Sequence, residues 1–199
     1  MLDKTIPYFN VIMKRDLKSD SPNAFGRWDK PTSFVRTYRP GDAENWIRIQ
    51  REAGEFLDTP EEEVRRYFAE TYESRPELLR ERGLFALDET GRAVGTCFAW
   101  KEADAANTAS LHWLAVSEAA QGKGIGTALV RAALGLYAAH GESPVFLHTQ
   151  PWSYQAVSLY LHAGFRFCRQ EAFLSYRNEN EKAIPILKRY IRIPEDCWA

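Results

Sequence analysis

Apolar and polar positions alternate from the first residues onward. In YFNVIMKR, residues 8–15, Phe9, Val11 and Met13 fall on one side, the period-two pattern of a strand. SDSPNAFGRWDKP, residues 19–31, is dense in turn formers and reads as a loop. A second strand is expected over Ser33–Arg39, closed by the turn Pro40-Gly41, and Asp42 can then cap a helix to about Gly54. Thr59 precedes Pro60 and Glu61 to Glu63, which predicts a helix with Thr59 as N-cap and Thr59-x-x-Glu62 as a capping box. Val64, Tyr67 and Phe68 supply its apolar face.

LFALDETGRAVGTCFAW, residues 84–100, predicts a hairpin turning at ETGR, and the denser SLHWLAV, Ser110–Val116, predicts a strand covered on both faces. A helix follows with Ile125, Leu129, Ala132 and Leu136 as its stripe and a stop at Gly141. PVFLHTQ is a further strand, Ser153 to Ala163 a short helix ended by Gly164, and FRFCRQEAF a returning strand. The tail NENEKAIPILKRYI stays ambiguous, because Pro185 suits only a helix start. Strands and helices mixed in this order make an α/β or α+β layer structure.

Charge and cysteine usage narrow the function classes. With 26 basic and 27 acidic side chains, no net field favours nucleic acid or an anionic membrane. The three cysteines, Cys97, Cys168 and Cys197, form no CxxC pair and no zinc spacing, so no metal is expected. Reduced thiols, with neither a signal-peptide core nor a membrane-length apolar run, lead to the expectation of a cytoplasmic protein.

The candidate chemistry lies in LAVSEAAQGKGIGTALV, residues 114–130, where a strand runs through Gly122, Gly124 and Gly126 into a helix. Glycine in a helix costs roughly 1 kcal/mol against alanine, so these positions serve the backbone or a ligand. The P-loop spacing fails, because Lys123 precedes the second glycine, and GxGxxG fails at Thr127. What remains is a helix start whose unpaired amides and dipole suit a phosphate, with Lys123 alongside. Tight packing at the helix start is the alternative.

These residues resemble the GNAT superfamily of N-acetyltransferases. Its Q/R-x-x-G-x-G/A signature is matched by Gln121, Gly124 and Gly126, after the triplet Leu114-Ala115-Val116. A second element, N-x-x-A-x-x-L-Y-x-x-x-G-F, is matched by SYQAVSLYLHAGF at Ala156, Leu159, Tyr160, Gly164 and Phe165, with Ser153 replacing the Asn. The resemblance spans about Ser33 to Phe173. It implies a mixed, mostly antiparallel twisted sheet flanked by helices, with splayed central strands. The implied layout is an N-terminal extension over 1–32, the acetyltransferase domain over 33–176 and a tail over 177–199 packed on it.

The resemblance also implies acetyl-CoA as cosubstrate. The run Gln121, Gly122, Lys123, Gly124, Ile125, Gly126 and Thr127 would take the pyrophosphate, and the backbone of Leu114, Ala115 and Val116 the pantetheine arm. Ser153 stands where the family's Asn meets that arm. Tyr160 would assist thiolate departure. Because a tyrosine ordinarily has a pKa of about 10 and a thiol about 8.5, full transfer is uphill by about 2 kcal/mol, so Tyr160 is expected as a hydrogen-bond donor that gives up its proton late.

His148 is the candidate base, since an ordinary imidazole titrates at about 6.5. His112 is its rival, and a water relay is equally allowed. Arg48, Arg51, Glu52 and Glu55, with Trp113 and Trp152, are candidates for the acceptor side. The expected reaction is acyl transfer to the primary amine of a small molecule. A protein N-terminus or lysine is the other acceptor, and a catalytically idle CoA-binding module the reading of another class. The oligomeric state is open, a homodimer included.

Overall fold

A computed structural model describes residues 2–18, 34–104 and 106–199. The loop expected over 19–31, and Ser33, lie outside the described residues. Hydrogen bonding orders the strands β2-β3-β4-β5-β6-β1-β7 in a seven-stranded sheet. These are β1 (Val11–Arg15), β2 (Phe34–Thr37), β3 (Gly83–Leu87), β4 (Ala93–Lys101), β5 (Ala109–Val116), β6 (Val145–Thr149) and β7 (Arg166–Phe167). The helices are α1 (Asp42–Glu52), α2 (Glu61–Phe68), α3 (Pro76–Arg82), α4 (Ile125–Ala139), α5 (Tyr154–His162) and α6 (Asn180–Leu187). The described residues form two compact units, one from residues 34–100 and 112–136, the other from residues 2–18, 101–104, 106–111 and 137–199.

In the first unit β2, β3 and β4 form an antiparallel meander with Phe85 opposite Thr96 and Leu84 opposite Cys97. Alternation sends Phe85, Phe98 and Trp100 to one face, where they meet Trp46, Val64, Phe68, Tyr72 and Leu79 from the helices. On the other face a Cβ at Gly95 would lie 2.9 Å from Ile125 and 3.0 Å from Leu129, so glycine lets α4 close on β4.

Several local expectations change. Asp42 is the first residue of α1, after Gly41 at a φ of 94°, and makes no cap bond. Its carboxylate instead accepts from the Arg39 amide at 2.7 Å, from Asn45 and from the Arg36 guanidinium. The Thr59 capping box does not form. Pro60 is the N-cap of α2, its carbonyl taking the Val64 amide. Helix α3 was not expected. It starts on Pro76, after a π-helical turn over Ala69–Glu73. The buried stripe of α4 is Ile125, Leu129, Ala133 and Tyr137 with Val130 and Leu134, whereas Ala132 and Leu136 are only half-buried. Spacing of four selects the face that the sheet covers.

In the second unit β1 pairs antiparallel with β6 over five residues and with β7 over two. Val11, Ile12 and Met13 are all fully buried rather than alternately, so both faces of the strand are covered as well as both edges. The segment outside the family resemblance thus supplies an interior strand. FRFCRQEAF keeps only Arg166–Phe167 as strand, because the edge is taken over by other groups. Asn180, fully buried, receives the Ile12 amide and donates to the carbonyls of Ile12 and Cys168. The chain end pairs along Phe167 through Cys197 and Ala199. Helix α6 includes Pro185, and the Ile184 carbonyl still bonds Lys188 beyond it. The parallel ladder of β5 with β6 covers only Ala109–Val145 and Ser110–Phe146 and ends there, as splayed central strands require.

Gly164 closes α5 at a φ of 85°, and a Cβ on it would lie 3.1 Å from Arg15 Cζ. The Arg15 guanidinium meanwhile donates to the Ala163 carbonyl at the helix end. Gly164→Ala is expected to cost about 1–3 kcal/mol, from left-handed strain and displacement of Arg15. Denaturant unfolding checks this, and an unchanged midpoint would refute it. Among the described residues no helix is long and apolar enough to cross a membrane.

Candidate functional site

The sequence-predicted residues divide between the units. Leu114 to Val116 and Gln121 to Thr127 come together in the first; His148, Ser153 and Tyr160 belong to the second.

β5 ends at Val116, and the Ser117 amide donates to the Val94 carbonyl at 2.8 Å. A short 3-10 turn, Glu118–Ala120, leads to Gln121, whose Nε2 donates to the Val116 carbonyl at 3.0 Å. The signature glutamine therefore ties the loop to the strand end. Gly122 and Gly124 have φ values of 74° and 78°, the left-handed region that L side chains avoid. Gly126 already lies inside α4. The first intrahelical bond joins the Ala128 amide to the Gly124 carbonyl, so the amides of Ile125, Gly126 and Thr127 open outward as donors. Gln121 to Gly124 are exposed, and a Cβ on Gly122 would meet nothing. This loop presents amide donors to open space at the positive end of a helix dipole, which fits an oxyanion.

A cleft of about 800 Å³ adjoins the loop, lined among others by Lys123, Ile125, Ser117, Glu52 and Arg92. Burial works against charge at Glu52, but the bonds from the Arg48 guanidinium, with Arg92 beside it, outweigh it and hold the carboxyl below its ordinary range. Arg48 bonds Glu52 at 3.0 Å and the Ala93 carbonyl at 2.6 Å, while Arg51 bonds the Thr59 carbonyl. Structural bonds therefore occupy Arg48, Arg51 and Glu52.

Trp113 departs from β-geometry, with a φ of 47° in the middle of β5. Its carbonyl accepts from Gln50 Nε2 at 3.1 Å, its indole N–H donates to Tyr67 Oη at 2.8 Å, and its ring sits 4.9 Å from Phe56. Gln50 was not singled out from the sequence and Tyr67 only as part of a helix's apolar face, and no residue type there advertises the irregularity. His112 Nδ1 lies 3.1 Å from Tyr72 Oη.

In the second unit Tyr160 is buried on α5, its ring edge-on to Phe165 at 5.8 Å. Ser153 is the N-cap residue of α5 without capping it; its hydroxyl accepts from Gln150 Nε2 at 2.8 Å. Trp152 packs on Tyr8, ring centroids 5.2 Å apart. His148 is paired across the ladder with Ile12, its ring stacked on Tyr176 at 3.7 Å and its Nε2 2.9 Å from Asn10 Oδ1.

Burial lowers the His148 pKa from 6.5 to about 4. The ring is therefore neutral at neutral pH and a weaker base than its type suggests. Between those two values the unfolded chain binds a proton that the folded chain does not, so stability is complete above about 6.5 and falls as pH falls toward 4. From about pH 7 to pH 5 the loss is on the order of 2 kcal/mol. Urea unfolding of the wild type and His148→Gln at both pH values reads it as a difference between the proteins. Equal losses would remove His148 as the cause.

The chain belongs to the acetyltransferase (GNAT) family, whose model matches residues 43–165. Among solved structures it is similar to a GCN5-related N-acetyltransferase from Sphaerobacter thermophilus, 24% identical, with a TM-score of 0.61 over 82% of this chain and 51% of that one. It is also similar to a GNAT-family acetyltransferase from Colwellia psychrerythraea, 13% identical, with a TM-score of 0.60 over 81% and 53%. A phosphinothricin acetyltransferase from Sinorhizobium meliloti, solved with acetyl-CoA, is 23% identical with a TM-score of 0.55 over 67% and 75%. The chain spans about half the length of the first two, and at these identities the likeness shows the fold. No curated protein matches it.

Proposed function

We propose that this chain is an acetyl-CoA-dependent N-acetyltransferase acting on the primary amine of a small molecule, by direct attack in a ternary complex. The observation that carries the reading is the loop Gln121–Thr127, where left-handed Gly122 and Gly124 open the start of α4 to an oxyanion. In this reading the loop takes the pyrophosphate, and the backbone of Leu114, Ala115 and Val116 pairs with the pantetheine arm. The nitrogen–carbon bond forms as the amine attacks, and the carbon–sulfur bond breaks as the thiolate leaves. Tyr160 is assigned hydrogen-bond donation to that sulfur, on the strength of its motif. His148 accepts the proton of the adduct nitrogen, which becomes more acidic once bonded to the acyl carbon and so suits a weak base better than a resting ammonium does. Ser153, bonded to Gln150, keeps its place beside the cofactor arm as a lesser contact. Three buried free thiols suit a reducing cytoplasm.

Calorimetric titration with acetyl-CoA, with a nicotinamide dinucleotide as control, tests the reading. Selective micromolar binding followed by amine-dependent thiol release supports it. Binding with no turnover on any amine would favour the idle CoA-binding module, and no binding by folded protein would remove the loop as the cosubstrate site.

A further inference from the structure

The surroundings of His148 contain a complete hydrogen-bond account that involves neither family motif. Asn10 Nδ2 and its backbone amide both face Glu179 Oε2, at 3.4 and 3.1 Å. A carboxylate only accepts, so this end of the Asn10 side chain is the amide nitrogen and the other end is Oδ1. Asn10 Oδ1 faces two groups, Tyr8 Oη at 2.8 Å and His148 Nε2 at 2.9 Å. A carbonyl oxygen has two lone pairs and no proton, so both neighbours must donate. Nε2 of His148 therefore carries the hydrogen, and the lone pair of the neutral ring lies on Nδ1. No hydrogen bond joins Nδ1 to a described residue. The ring plane is set as well, by Tyr176 stacked at 3.7 Å and 11°. The groups around the imidazole are the Tyr8 and Tyr176 phenols and, through Asn10, Glu179, which Lys182 neutralises at 3.2 Å.

We infer that Asn10 and Glu179 are positioning residues for His148: Glu179 orients the Asn10 amide, Asn10 holds the imidazole as its Nε2–H tautomer, and Nδ1 is the nitrogen offered to the acceptor amine. This rests on the proposed role of His148 as proton acceptor. It gives a function to the segments before and after the acetyltransferase motifs, because Asn10 precedes β1 and Glu179 precedes α6. A base whose tautomer is fixed by a partner presents its lone pair in every molecule, whereas a loose ring divides it between two nitrogens.

The test is nitrogen NMR of the full chain labelled in histidine, with the His148 signals assigned by their loss in His148→Gln. Wild type at neutral pH should show a protonated Nε2 and a bare Nδ1. Asn10→Ala should give a mixture of tautomers. Glu179→Ala should do so too, and Glu179→Gln, whose amide oxygen still accepts, should restore the single form. A protonated Nδ1 in wild type, or an unchanged Nε2–H form in folded Asn10→Ala, would overturn the inference. For amine acetylation, Asn10→Ala should lower kcat roughly two- to ten-fold, because some of the rings keep the Nε2–H form, less than the 10²–10⁴ that a general base contributes, with the KM for acetyl-CoA little changed. The tautomer needs no turnover to be read, so a chain that holds Nε2–H yet acetylates nothing would count against the proposed function and leave the hydrogen-bond assignment standing. If turnover is found, an unchanged kcat in an Asn10→Ala protein with mixed tautomers would overturn the positioning role.

Discussion

Gly124→Glu should weaken acetyl-CoA binding by at least two orders of magnitude while leaving the protein folded. Gly124 lies at a φ of 78°, so any side chain meets a backbone strain of about 1–2 kcal/mol. Its carbonyl starts the intrahelical ladder of α4 and its exposed position faces the space where donors open outward, so a glutamate would set a like charge beside a pyrophosphate. Two variants separate the contributions. Gly124→Ala carries the strain without the charge, and about ten-fold weaker binding is expected from it. Gly135→Glu adds the same charge to an exposed position of α4 where a Cβ meets nothing, and binding should not change. Calorimetry on all three, with unfolding midpoints as the folding control, decides the matter. Full affinity in folded Gly124→Glu would mean that the glycines serve the chain turn alone.

What could be read from the sequence was mostly what depends on neighbouring residues. The hairpin at Asp88–Arg92, the helix after the glycines and the stop at Gly164 are written in turn formers and spacing, and the structure has them. Features set by distant partners were not legible. Thr59 has the spacing of a capping box, yet the helix takes Pro60 as N-cap, because the surrounding chain determines where the first turn closes. β1 looked amphipathic, but β6 on one side, β7 on the other and the side chain of Asn180 make it interior. The left-handed Trp113 gives no local sign, since tryptophan has no preference for that conformation; Gln50, Tyr67 and Phe56 hold it there.

The candidate site divides the same way. The loop Gln121–Thr127 was legible because glycines and a signature glutamine sit together in the chain. The surroundings of His148 were not, because Asn10, Tyr176 and Glu179 come from opposite ends of it. The ordinary imidazole value used for the base was therefore the wrong starting point, since burial takes it to about 4. In the proposed mechanism a base this weak shifts the catalytic load onto the leaving group.

Tyr160→Phe is consequently expected to lower kcat roughly 10²-fold, with acetyl-CoA affinity near normal. The ring is buried and packed edge-on against Phe165, and phenylalanine keeps that contact, so only the hydroxyl is removed. A general fall in activity would not by itself assign the hydroxyl to the sulfur. Dependence on the leaving group does. If Tyr160 donates to the departing thiolate, its loss matters most when that thiolate is basic, and an acetyl thioester of a more acidic thiol should narrow the gap between wild type and Tyr160→Phe. If the hydroxyl only orders the acceptor, the gap stays the same for both thioesters and the KM for the amine rises instead. Equal kcat in the two proteins would take Tyr160 out of the reaction and leave its motif position to packing.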